Sequence, residues 1–230
     1  VRTGAINSQT GARLRRESFH SQPGRCRTRL EPRWFWRRKM NEEWRTFCAI
    51  ELTEQVRKQL ASHAKQLREA VPEASASWSR PENVHLTLKF FGNVRQDRLA
   101  QISEAASRVA AEYSPFQLRI GGTGVFPKPS RPQVLWIGVD DRSGRLSELQ
   151  QRLEEVFGRE GFSKDDRVYK PHLTIARIRR PDGARKLAET HLQTGFSFIE
   201  IRVNEFVFFR SELSPKGSRY TSISKHELTR

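Results

Sequence analysis

A chain of 230 residues is long enough for one compact domain with a real core, or for two small lobes sharing one. At 36% hydrophobic residues it has no apolar run that approaches a membrane span, and two cysteines (Cys26 and Cys48) make neither a disulfide framework nor a metal site, so a reducing, cytoplasmic compartment is expected. The formal charge of +16 points toward polyanions, but residues 1–39 hold 11 Lys and Arg against two acids, which leaves a moderate +7 for residues 40–230 and no tract that demands duplex DNA.

Residues 1–39 show no sustained apolar period and read as a disordered basic extension of Arg, Ser, Gly and Pro around Trp34-Phe35-Trp36. Two origins stay open for it: an Arg-rich, acid-poor transit peptide, or upstream sequence translated from an over-extended start, with Val1 in place of Met. The second is favoured because Met40 is the only Met, and a well-patterned domain over 40–230 begins right after it.

From there the elements alternate. "RTFCAIEL" (45–52) predicts a buried strand, and Thr53 can cap a helix whose Val56, Leu60, Ala64 and Leu67 share a face. A Pro- and Ser-containing loop (72–83) leads to the strand "VHLTLKFF", ended by Gly92. Leu99, Ile102, Ala106 and Val109 mark a second amphipathic helix, "FQLRI" a further strand, and 121–132 a turn-rich stretch. Gly121, Gly122 and Gly124 lack the Lys-Ser/Thr ending of a phosphate loop and read as a tight connection between lobes. Then come the strand "VLWIGV" (134–139), a helix lined by Leu146, Leu149, Leu153 and Val156, the strand "PHLTIARI", a short helix through Leu187 and Leu192, and C-terminal segments that alternate as strands do.

The pattern repeats with a period of 87. His172 lies 87 residues after His85, and adding 87 to "FCAIEL" (47–52) gives "VLWIGV" (134–139), so each aliphatic strand starts 38 residues before its His. Duplicated supersecondary units of this length predict two pseudo-symmetric lobes rather than a solenoid.

Each lobe carries His-Leu-Thr-aliphatic, "HLTL" at 85–88 and "HLTI" at 172–175. A lone His on a strand is more often structural than catalytic. A shuffled chain with six His and twelve Thr would hold about 0.3 His-x-Thr tripeptides, and about 0.003 with the aliphatic positions required. Two copies at matching places in a repeat are not chance patterning. Side chains two apart on a strand share a face, so His85 projects with Thr87, and His172 with Thr174. Facing each other across a cleft, two imidazoles and two hydroxyls suit in-line cleavage of a phosphodiester without a metal. One imidazole accepts a proton, the other donates one, and the hydroxyls hold non-bridging oxygens. His20, His63, His191 and His226 lack this context; His63 and His191 fall in predicted helices and read as surface or boundary residues. No zinc spacing is present.

"RPENVHLTLKFFGNV", "RPQVLWIGV", "YKPHLTIAR" and "FRSELSPKGSRYTSI" together resemble the 2H phosphoesterase superfamily, in its bacterial RNA 2′,3′-cyclic phosphodiesterase branch, also called the LigT-like or 2′-5′ RNA ligase family. The resemblance covers about residues 45–228. It implies an α+β fold in which two antiparallel sheets face a central cleft with helices outside, and metal-free hydrolysis of an RNA 2′,3′-cyclic phosphate to a 2′-phosphomonoester with no cofactor. His85 is then the proton donor to the departing 3′ oxygen, His172 the acceptor that activates water, and Thr87 and Thr174 the phosphate ligands. Arg177 is a candidate phosphate ligand from the motif's Arg ending. It lies five residues after His172, however, so only a bend or bulge brings it to the same face. Phe91, Phe126 and Trp136 are candidate base-stacking residues, although most strand aromatics are core. The expected partners are RNA ends or short oligonucleotides, and the expected state is a monomer. Two alternatives remain: ATP-independent 2′-5′ joining of RNA on the same site, and a nucleotide- or RNA-binding module without turnover.

Overall fold

The computed structural model describes residues 42–165, 167–214 and 217–230. The basic extension over 1–39 and the start at Met40 lie outside the described residues. Strand β1 (Glu43–Glu51) is followed by helix α1 (Glu54–Ala70), whose first turn is capped by the Thr53 hydroxyl accepting from the Val56 amide at 3.4 Å. Val56, Leu60, Ala64 and Leu67 are buried on its inner face, as their spacing requires. After β2 (Ala76–Trp78) and a 3-10 turn at Pro81–Asn83 come β3 (His85–Arg95), α2 (Leu99–Ala110), β4 (Phe116–Lys128) and β5 (Arg131–Asp140). The chain continues through α3 (Arg145–Arg159), β6 (His172–Ile178), α4 (Ala184–Thr194), β7 (Ile199–Val203), β8 (Glu205–Ser214) and β9 (Gly217–Glu227).

Two antiparallel sheets result, one in the order β3-β1-β8-β9 and the other β2-β6-β5-β4-β7. Helices α2 and α3 pack on each other over β9 and β3, while α4 packs over β4 and β5 of the second sheet and α1 packs on α4. The helices are exchanged between lobes. Helix α1 leaves β1 of the first sheet yet lies with α4, its Arg68 over the Trp78 ring of β2. Helix α3 leaves β5 of the second sheet yet ties to β3 through Glu154 and Lys89. Each sheet is thus backed by a helix that starts from the other, and one continuous core joins both halves. This is the expected α+β architecture of two facing, pseudo-symmetric lobes.

Three local expectations are corrected. Gly92 does not end its strand: at φ +72° it sits in a bulge where β1 passes from Thr46↔Gly92 to Phe47↔Phe90, and β3 runs on to Arg95. The 72–83 loop contains the short strand β2, which extends the second sheet. Residues 121–128 are strand rather than turn, so the connection to β5 is the two residues Pro129-Ser130. The glycines there are needed for close approach, not as a link between lobes. A Cβ on Gly124 would collide with the Trp136 indole, and one on Gly121 would strike Phe198.

Candidate active site

The two motif strands repeat each other down to their irregularities. Glu51 pairs with His85 and Gly138 with His172, each member of the second pair being 87 residues after its counterpart. Both strands then bulge at the same place. Cys48↔Lys89 follows Ala49↔Thr87, and Leu135↔Ala176 follows Trp136↔Thr174, so Leu88 and Ile175 are the extra residues. The bulge reverses the alternation beyond it. Leu88 with Lys89, and Ile175 with Ala176, are buried in succession, and Phe90 and Arg177 come out exposed on the face of the motif histidines. Phe90 demonstrates that face, since it packs against Phe47, which stacks on His85. Arg177 is its 87-residue counterpart. The bulge its candidacy required is present.

Both imidazoles are anchored in the same way. His85 Nδ1 lies 2.9 Å from the Asn83 carbonyl oxygen and His172 Nδ1 lies 2.7 Å from that of Lys170, each two residues upstream. A carbonyl only accepts, so Nδ1 carries the hydrogen and Nε2 is the atom left for proton transfer. Among the described residues, neither Nε2, the Thr87 and Thr174 hydroxyls, nor the Arg177 guanidinium has a hydrogen-bond partner.

Their surroundings differ. His85 stacks on Phe47 at 4.5 Å with Phe209 behind, and Tyr220 stands edge-on at 5.2 Å. This aromatic box excludes water, and burial pushes the His85 pKa down to about 4, against the opposing pull of the Asn83 carbonyl. His172 has Phe126 edge-on at 5.1 Å and Trp136 at 6.4 Å.

The motifs are braced to each other crosswise. The Tyr169 hydroxyl, three residues before His172, donates to the Thr87 carbonyl at 3.0 Å. The Ser79 hydroxyl, six residues before His85, donates to the Thr174 carbonyl at 2.9 Å, and the Ser79 amide donates to the Ile175 carbonyl at 2.8 Å. Burial drives the Tyr169 phenol pKa far above its usual value, so it stays a donor at any working pH. Strands β3 and β6 accordingly come within 8 Å of each other, Cα to Cα.

The sequence reading missed Phe47, Phe209, Tyr220, Tyr169 and Ser79. Phe47 had a readable signal, being two residues before Ala49, which pairs with Thr87; the others reach the site through long-range contacts that no local pattern records. Of the stacking candidates, Phe126 and Trp136 border His172. Phe91 does not: it packs among Phe157, Phe162 and Phe208 in the core. His63 and His191 are not surface residues either. They are buried and paired, His63 Nε2 to His191 Nδ1 at 2.9 Å, because α1 and α4 meet there. Among the described residues no three His, Cys, Asp or Glu side chains converge in a metal-binding arrangement.

The family model for the 2′-5′ RNA ligase superfamily matches residues 56–214. The chain belongs to this superfamily. It is 37% identical over 187 residues to a Methanothermobacter thermautotrophicus protein named RNA 2′,3′-cyclic phosphodiesterase, covering 80% of this chain and 98% of that one. A Thermotoga maritima protein of the same name is 34% identical, covering 76% and 91%. Among solved structures, TT0787 of Thermus thermophilus superposes with a TM-score of 0.66 at 28% identity, covering 80% of this chain and 98% of that one. Escherichia coli LigT in its apo form gives 0.61 at 25%, covering 82% and 99%. No helix among the described residues is long and apolar enough to cross a membrane.

Proposed function

We propose that this chain hydrolyses RNA 2′,3′-cyclic phosphate ends to 2′-phosphomonoesters without a metal. The observation that carries the reading is the pair of imidazoles at equivalent register positions, each with Nδ1 tied to a carbonyl and Nε2 free. His172 Nε2 takes a proton from water as its oxygen attacks phosphorus. The bond from phosphorus to the 3′ oxygen breaks, and His85 Nε2–H delivers a proton to that oxygen, leaving a 3′-hydroxyl and a 2′-phosphate. The Thr87 and Thr174 hydroxyls and the Arg177 guanidinium bind the non-bridging oxygens, where charge builds in the transition state. In the free protein His85 is neutral at pH 7 because of its burial. It becomes a donor only with the phosphodiester bound, since an anion within about 4–6 Å favours imidazolium and offsets the desolvation.

Names of the relatives support the hydrolytic direction. The superfamily's name supports a second reading on the same site, in which an RNA 5′-hydroxyl replaces water and forms a 2′-5′ linkage. Both are tested by incubating the full chain, in EDTA, with an oligonucleotide ending in a 2′,3′-cyclic phosphate, with and without a 5′-hydroxyl acceptor. A 2′-phosphate product supports hydrolysis, and a longer 2′-5′-linked strand supports joining. A 3′-phosphate, or activity abolished by EDTA, overturns the proposed chemistry.

A further inference from the structure

The moderate charge of the folded part is not spread evenly. Lys128 and Arg131 at the β4–β5 hairpin, with the segment from Arg177 to Lys186, hold seven Lys and Arg and one acid, Asp182. That is a net +6 against +7 for everything after residue 39. Fold brings these segments together beside the candidate site. Arg177 pairs with Val134 on β5, three residues from Arg131, and Arg131 pairs with Lys128 across the turn. Arg185 donates to the Ser130 carbonyl at the hairpin tip at 3.1 Å, and the Arg179 amide continues the edge by donating to the Ser75 carbonyl at 2.8 Å.

Lys128, Arg131, Arg177, Arg179, Arg180 and Arg185 are all exposed, and among the described residues none is in an ion pair with a carboxylate. Lys186, at the margin, is neutralised by Glu73 at 2.9 Å. Much of the molecule elsewhere behaves differently: Arg95, Arg108, Arg119, Arg152 and Arg210 all meet acids. The other lobe offers an internal control. The 87-residue counterparts of Arg177, Arg179 and Arg180 are Phe90, Gly92 and Asn93, so the fold itself does not ask for cations here.

We infer that this end of the second sheet is a track for the phosphate backbone of single-stranded RNA, carrying the strand away from the nucleotide in the cleft. The track starts at His172 and Thr174 and reaches Arg179 about 20 Å along the strand, at roughly 3.3 Å per residue. A nucleoside cyclic monophosphate is too small to reach it. A 2′,3′-cyclic phosphate ends its strand at the 3′ side, so the rest of the RNA leaves in one direction only, and a one-sided cation track matches that. The inference rests on the proposed phosphodiesterase reading and extends it: the substrate is an oligonucleotide, not a free nucleotide.

The test uses the full chain and the triple variant Lys128→Gln/Arg131→Gln/Arg179→Gln. A control variant, Arg145→Gln/Arg159→Gln/Lys164→Gln, loses the same charge on or just after α3. Turnover of a nucleoside 2′,3′-cyclic monophosphate is compared with that of a ten-residue oligoribonucleotide bearing the same end, across a salt series. Binding of the 5′-labelled oligonucleotide is followed by anisotropy. The track predicts at least about a tenfold loss of kcat/KM on the oligonucleotide in the triple variant, with the log–log salt slope lowered by about 2, at roughly 0.7 per phosphate. Monophosphate turnover stays within about twofold, and the control variant keeps the parent's oligonucleotide rate. Equal losses on both substrates, no loss on either, or the same loss in the control overturns the track. If the parent turns over neither substrate while the triple variant alone loses binding and its salt slope, the phosphodiesterase reading fails and the track stands.

Discussion

His85 and His172 share the same kind of backbone anchor, but only His85 is enclosed by Phe47, Tyr220 and Phe209, so the duplicated residues sit in different surroundings. What holds them in one geometry is the pair of crossed hydroxyl bonds, Tyr169 to the Thr87 carbonyl and Ser79 to the Thr174 carbonyl. Tyr169→Phe removes one of these and keeps the ring. Its expected cost in folding stability is about 1 kcal/mol, the net worth of one hydrogen bond, visible in urea unfolding. Its expected effect on turnover is larger, about a tenfold drop in kcat with a smaller change in KM, because reacting groups tolerate little misplacement. A change in stability with kcat intact would make the brace structural only.

At the scale of elements, the matched bulges at Leu88 and Ile175 decide which residues share the face of the histidines. They turn Phe90 and Arg177 onto the histidine face and send Lys89 inward to Glu154 at 2.5 Å. Close packing at Gly124 acts similarly, since Trp136 crosses it and lies opposite Thr174. Gly124→Ala is expected to push the indole aside, destabilise the fold by about 1–3 kcal/mol through overpacking and lower activity with it, as urea unfolding and turnover on one preparation would show.

The motif strands and the helix faces were readable because each rests on local periodicity, and the 87-residue repeat because it can be counted along the chain. The bulges were not readable. "TLKFF" and "TIARI" look alike with or without an extra residue, and one residue reverses every side chain beyond it. The inward turn of His63 and His191 was hidden for another reason: a helical His looks the same whether its face meets water or a second helix from the other lobe.

The whole molecule is knit by helices exchanged between sheets, and buried histidines sit at the seams. His63 and His191 join α1 to α4, and His226 lies between Ser107 of α2 and Ser224 of β9 at 2.9 Å from each. Burial lowers the pKa of His63, His85 and His226 to about 4 and that of His191 in the same direction. Above pH 6.5 these rings are neutral both folded and unfolded. Between 6.5 and about 4 the unfolded chain takes up protons that the folded one refuses, so stability falls as pH falls, and these groups add no further loss below about 4. Thermal unfolding at pH 7.5 and pH 5 should show a clearly lower Tm at pH 5, and His226→Gln should narrow that gap; a Tm indifferent to pH would contradict it.

If the two lobes make one catalytic unit, kcat/KM for His85→Ala, His172→Ala and the double variant on a cyclic-phosphate oligonucleotide will record it. Groups that act together are not additive, so each single variant should lose about a thousandfold or more and the double variant little beyond the worse single. A double loss equal to the product of the two, or a single variant that keeps the parent's rate, would contradict it.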